Sequence, residues 1–150
     1  MHQHKVLFYV GLLFCVNFCS LAIAQISEEE LSKKRTYTVW LQALAEKNKV
    51  YKLDLSGGAI TSVPPEIKKL KKLQKLYLEE CDLTSLPEEI CELKNLQVLH
   101  IQRNKITKLP QNIGKLKNLR ELNVGTNPIP ESEIKRVQSL LPNCNILFTD

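Results

Sequence analysis

The chain has 150 residues, enough for one domain. Charged residues make up 25% and hydrophobic residues 43%, which excludes both a disordered chain and a wholly membrane-embedded one. The net charge of +5 is mild and mixed in sign, and it offers none of the concentrated basic face that nucleic-acid binding favours.

The first element in chain order is apolar. MHQHK is a short, weakly basic start, VLFYVGLLFCVNF has the length of a signal-peptide core, and SLAIAQ sets Ala22 and Ala24 around Ile23 in an A-x-A cleavage pattern. Residues 1–24 therefore read as a secretory signal, with the mature chain starting near Gln25. An uncleaved anchor from Val6 to Ile26 is the main alternative, since that stretch is just long enough to span a bilayer. Lipid attachment at Cys15 or Cys19 is disfavoured, because each follows a bulky Phe. Removing residues 1–24 takes away only Lys5, leaving 20 basic against 16 acidic residues, or +4.

Residues 25–49 read as a helical N-terminal cap. SEEE (27–30) fits a capping box pairing Ser27 with Glu30. TVWLQALAEKN (38–48) then reads as a short amphipathic helix with Val39, Trp40 and Leu44 inward and Trp40 as the plug over the core of the next segment.

From residue 50 aliphatic positions recur every twenty-three residues. Val50, Leu73, Leu96 and Leu119 open four units. Leu53, Leu76, Leu99 and Leu122 come next, then Leu55, Leu78, Ile101 and Val124, then Gly58, Cys81, Asn104 and Asn127, then Ile60, Leu83, Ile106 and Ile129. The unit is L-x-x-L-x-L-x-x-N/C-x-L. Three copies continue as VPPEIKKLKK (63–72), LPEEICELKN (86–95) and LPQNIGKLKN (109–118). The L-x-L core alternates with period two, so it predicts a short strand with its leucines inward. Proline fixes φ and lacks a donor, so the return segment starts as extended chain or a tight turn. Ile67, Leu70, Ile90, Leu93, Ile113 and Leu116 then close the core from the outer side. The fourth unit departs from the pattern. PESEIKRVQSLLPN (130–143) puts Ile134, Val137, Leu140 and Leu141 on one helical face, and CNILFTD offers a last edge strand with Cys144 and Leu147 at core positions.

These motifs resemble the leucine-rich repeat family in its 23-residue form, over about residues 50–150. The run VYKLDLSG also looks like the start of short exported bacterial members. The resemblance implies an α/β fold: a short right-handed leucine-rich repeat solenoid with a parallel β-sheet on its concave face. An N-terminal helical cap and a C-terminal helix-strand cap would close it. Repeats fall near 50–72, 73–95, 96–118 and 119–143, with a terminal strand at 144–150. It also implies an amide ladder at the Asn positions, with Cys81 as a poorer donor and Gly58 as none.

The family binds partners through the concave face, which here carries Asp54, Tyr77, His100 and Asn123 in one row and Lys75, Glu79, Gln102 and Arg103 around them. Tyr and Arg favour binding hot spots. His100 has no partner in sequence reach for a catalytic triad, since Asp54 is two coils away at roughly 10 Å. It reads as solvent-facing. No phosphate loop, CxxC pair or N-x-S/T site occurs. The function expected is that of a non-catalytic exported protein-binding module, without cofactor or metal and without stable membrane insertion once the leader is removed. The expected partner is a protein or surface ligand, and the chain itself is expected to be a monomer. Cys81, Cys91 and Cys144 are an odd number, so they cannot all pair within the chain. Cys91 reads as partly exposed. Free thiols also suit the alternative, an intracellular scaffold resembling Ras-group leucine-rich adaptors.

Overall fold

The computed structural model describes residues 26–148, so the leader expected at residues 1–24 lies outside the described part. Six strands form one parallel sheet in chain order: β1 (Thr36–Tyr37), β2 (Lys52–Asp54), β3 (Lys75–Tyr77), β4 (Val98–His100), β5 (Glu121–Asn123) and β6 (Asn145–Leu147). The register keeps the repeat in line: Leu53 pairs with Leu76, Leu76 with Leu99, and Leu99 with Leu122. All four leucines are fully buried.

The return segments are short 3-10 helices at Pro65–Lys69, Glu88–Glu92 and Ile113–Lys115. Pro64 and Pro87 enter the first two with extended backbone, which proline's fixed φ favours. Ile67, Leu70, Ile90, Leu93, Ile113 and Leu116 seal the outer side of the core as expected. A lone coil buries too few side chains to offset the ordering of its backbone, so the coils must stack and the end coils need caps.

The turns after the strands are held by side-chain amides. Asn104 Oδ1 accepts from Leu83 N (3.0 Å), and Nδ2 donates to Leu78 O (2.7 Å) and Ile101 O (2.9 Å). Asn127 repeats this one coil on, toward Ile106 N and Ile101 O. Cys81 donates weakly to Leu55 O and Glu79 O. Just before each of these residues, and before Gly58 at the same position of the first coil, the backbone turns left-handed, at Glu80, Arg103, Thr126 and Gly57. The sequence hides this, since only the last is glycine, the residue that adopts this conformation without strain. The other three carry a conformational cost that their neighbours hold in place.

At the front, α1 (Glu28–Ser32) is capped by Ser27 Oγ, which accepts from Glu30 N. Strand β1 lies inside the segment expected to be only helical and extends the sheet by one parallel strand. Helix α2 (Trp40–Ala45) is shorter than expected. Val39 is exposed, not inward, because it is the extended residue that caps the helix rather than part of it. Ala43 is the fully buried side chain, with Trp40 and Leu44 packed beside it.

At the back, α3 (Glu131–Leu140) buries Ile134 and Val137, while Leu140 lies at the surface and Leu141, past the helix end, turns in. The fourth coil is one residue longer than the rest, since Leu122 pairs with Ile146. Ile146 therefore takes the inward position, and Leu147 stands outward beside Asn123, contrary to the 23-residue expectation. Cys91 is buried, not partly exposed. Burial, reinforced by nearby Glu88, pushes its thiol up to about 11, so it is a poor candidate for linking two chains.

A buried polar latch was not legible in the sequence. Glu133, on the inner side of α3, accepts from Leu109 N (2.9 Å) and forms a two-point contact with Arg136 (2.7 and 2.8 Å). Arg136 also donates to Leu109 O (3.2 Å). The Arg136 hydrogen bonds hold the Glu133 carboxyl below its ordinary 4.5, against opposition from burial and with help from the Leu109 N–H. A depressed folded-state value stabilises the fold above the unfolded value, and that contribution is lost as pH falls through the folded one. Glu133→Gln should lower stability by about 1–3 kcal/mol at pH 7. In thermal unfolding, the gap between wild type and variant should narrow from pH 7 to about pH 3. Parallel pH profiles would show that the latch carries no charge-dependent stability.

Candidate functional site: the concave face

In a parallel sheet each residue sits beside its counterpart one coil away, so the outward residues of the strands form straight rows. The register places Asp54, Tyr77, His100 and Asn123 in one row, and Lys52, Lys75, Val98 and Glu121 in the next. The sequence-derived set Asp54, Lys75, Tyr77, Glu79, His100, Gln102, Arg103 and Asn123 thus lies on one surface. All are partly exposed except Arg103, which is exposed.

The set divides into groups with different roles. Lys75 is tied to Glu28 of α1 (2.8 Å), and the neighbouring Lys52 reaches Ser32 O (3.4 Å), so the N-terminal cap holds both lysines at this end of the face. Asp54 is used locally, accepting from Ser56 N, and Asn123 does the same with Gly125 N. Arg103 pairs with Glu80 one coil back. Gln102 brings an amide oxygen that is buried and has no partner among the described residues.

The centre is different. His100 is clasped on both sides: Nδ1 lies 3.0 Å from Glu79 Oε1, and Nε2 lies 2.6 Å from Glu121 Oε1. The ring is 19% exposed in its side chain, so the expectation of a solvent-facing histidine is corrected. The cause is the stacking: Glu79 and Glu121 come from the coils on either side, and the row spacing of about 4.8 Å puts their carboxylates against the ring. Sequence reading placed Glu79 on the face but missed this bridge and the part Glu121 plays in it. The signal for it lies in register, in residues 21 positions either side of His100. Tyr77 meets the ring edge-to-face at 5.2 Å and 84°. Burial raises the Tyr77 hydroxyl above its ordinary 10.0, and the carboxylates of Glu121, Asp54 and Glu79 add to this while Lys75 opposes it.

Both ring nitrogens of His100 are taken up by the Glu79 and Glu121 carboxylates. Glu79 and Glu121 lie at opposite nitrogens, so the three groups do not converge on one point. Among the described residues no group of three or more His, Cys, Asp or Glu side chains could hold a metal ion. The arrangement presents an aromatic and charged surface.

A leucine-rich repeat region model matches residues 35–141. The chain belongs to the leucine-rich repeat family, whose solenoids serve as protein-binding modules and are typically non-catalytic. No curated protein matches it. Among solved structures it is similar to a Leptospira interrogans leucine-rich repeat protein, with 47% identity over 64% of this chain and a TM-score of 0.63. It is also similar to an internalin from Listeria monocytogenes, at 24% identity over 71% of the chain and a TM-score of 0.60, a likeness of fold. A third is the plant peptide hormone receptor RGFR1 in complex with RGF2, at 28% identity over 75% of the chain and a TM-score of 0.59. The chain spans 24%, 30% and 19% of those three proteins.

Proposed function

We propose that this chain is an exported, non-catalytic module that binds a protein partner on its concave face. The observation that carries the reading is the Tyr77–His100 pair held between Glu79 and Glu121 at the middle of that face. Its side chains are fixed before any partner arrives, so little rotamer freedom is lost on binding. Arg103 borders it and offers a further polar contact. The similar plant receptor, which is in complex with RGF2, lends support by analogy.

The partner test is capture from an extract by the chain beginning at Gln25, compared with its Tyr77→Ala and Arg103→Ala variants. Hot-spot truncation should weaken capture of a specific protein at least about tenfold in each variant. Equal capture by all three would remove the concave-face site.

A second reading, an intracellular scaffold like the Ras-group adaptors, is favoured by the three free thiols at Cys81, Cys91 and Cys144. Mass spectrometry of the native N-terminus separates the two. Export predicts a chain starting near Gln25, and a chain that retains Met1 would overturn it.

A further inference from the structure

Helix α2 is apolar on both of its sides. Its sequence, WLQALA, contains no charge. Ala43 is fully buried, and Trp40 and Leu44 pack against the core. Yet the outer side is also apolar: Leu41 is 76% exposed, Val39 53%, and Ala45 is exposed as well. No other large apolar side chain among the described residues is as exposed as Leu41 or Val39. A surface helix normally turns charged residues to water, and a helix apolar all round is normally covered on all sides.

The chain on either side of this patch is basic. Residues 33–49 contain five basic residues and one acidic one. The acidic one, Glu46, is taken up by Tyr37 Oη (3.0 Å) and faces Arg35 (3.9 Å). Lys33 is paired with Glu29 (3.0 Å). Lys34 lies over the Tyr51 ring, as does Lys72 from the end of the same coil. Lys47 and Lys49, directly after the helix, are exposed and meet no carboxylate among the described residues. Of the glutamates on α1, Glu28 is turned to Lys75 at the concave edge.

We propose that the outer side of α2 is a docking surface for an anionic lipid membrane. Val39 and Leu41 enter the headgroup boundary, and Lys34, Arg35, Lys47 and Lys49 meet the lipid phosphates around them. An exposed apolar pair flanked in the chain by exposed basic side chains suits a fluid, negatively charged surface. A second copy fits poorly, because a twofold axis through this patch would set the same cations against each other. The apolar stretch ending at Ile26 leads into this end of the solenoid, so docking here agrees with a chain delivered to, or held at, a membrane. The proposal does not depend on the concave-face reading, since it uses none of those residues.

The test is flotation of the chain beginning at Gln25 with vesicles. Every residue of the described core lies between Leu31 and Ile146, so this chain keeps the whole of it. Vesicles of phosphatidylcholine with about 30 mol% phosphatidylglycerol should carry at least about tenfold more protein than phosphatidylcholine alone, at about 0.1 M salt. Val39→Ser with Leu41→Ser should lower that binding about fivefold or more, and Lys47→Glu with Lys49→Glu should do likewise. These positions are exposed, so the variants should keep the wild-type circular dichroism and unfolding midpoint. Three results would overturn the proposal. They are no binding above that to phosphatidylcholine, anionic binding that ignores the serine substitutions, and a dimer in sedimentation that Leu41→Ser dissolves.

Discussion

The side-chain amide that crosses from one coil to the next is the constraint on which the rest of this fold depends. The inward leucines supply the drive to bury surface, but leucine packing is tolerant and would allow coils to slide or tilt. Asn104 removes that freedom. Its one side chain satisfies Leu83 N and Leu78 O in the second coil and Ile101 O in its own. Two coils are thereby locked at one spacing, and Asn127 repeats the lock on the next pair. Where the donor weakens to Cys81, the contacts lengthen to 3.3 and 3.5 Å.

A fixed spacing is what turns separate residues into a surface. Tyr77, His100 and Asn123 share a row only because Leu76, Leu99 and Leu122 are held in register beneath them. The clasp of His100 by Glu79 and Glu121 needs both neighbouring coils at once. The same stacking leaves the two ends unlike each other. The front buries Leu31, Tyr37 and Ala43 beneath an outer side that exposes Val39 and Leu41, whereas the back exposes Leu147 on its edge strand and Phe148 just after it. The latch of Glu133 and Arg136 on the Leu109–Pro110 turn fixes α3 across the last regular coil, where the proline motif is missing.

The repeat was legible in the sequence because its signal is additive. Every burial position recurs at one period, and any single substitution, such as Cys81 for Asn, leaves the rest in place. The caps were less legible because each occurs once. Val39 reads as inward if the helix is started at Thr38, and only the extended backbone before Trp40 turns it outward. One extra residue in the last coil reversed the roles of Ile146 and Leu147, since a strand slipped by one position exchanges its two faces. The concave rows could be written down from the period alone. The bridge at His100 could not, because ion pairing depends on rotamers and on the approach of neighbouring coils. The left-handed turns at Glu80, Arg103 and Thr126 were hidden for a different reason: stacking imposes them on residues that do not prefer them.

Unfolding of Asn104→Ala in denaturant, beside Asn123→Ala, tests the lock most directly. Asn123 sits on the concave face, and among the described residues its side chain accepts only within its own turn, from Gly125 N. Loss of the Asn104 side chain strands a buried N–H and buried carbonyls in two coils, so the expected loss is about 2 kcal/mol or more. The control should lose about 1 kcal/mol or less. Equal losses in the two variants would contradict the view that the crossing amide, rather than leucine packing alone, sets the spacing of the coils.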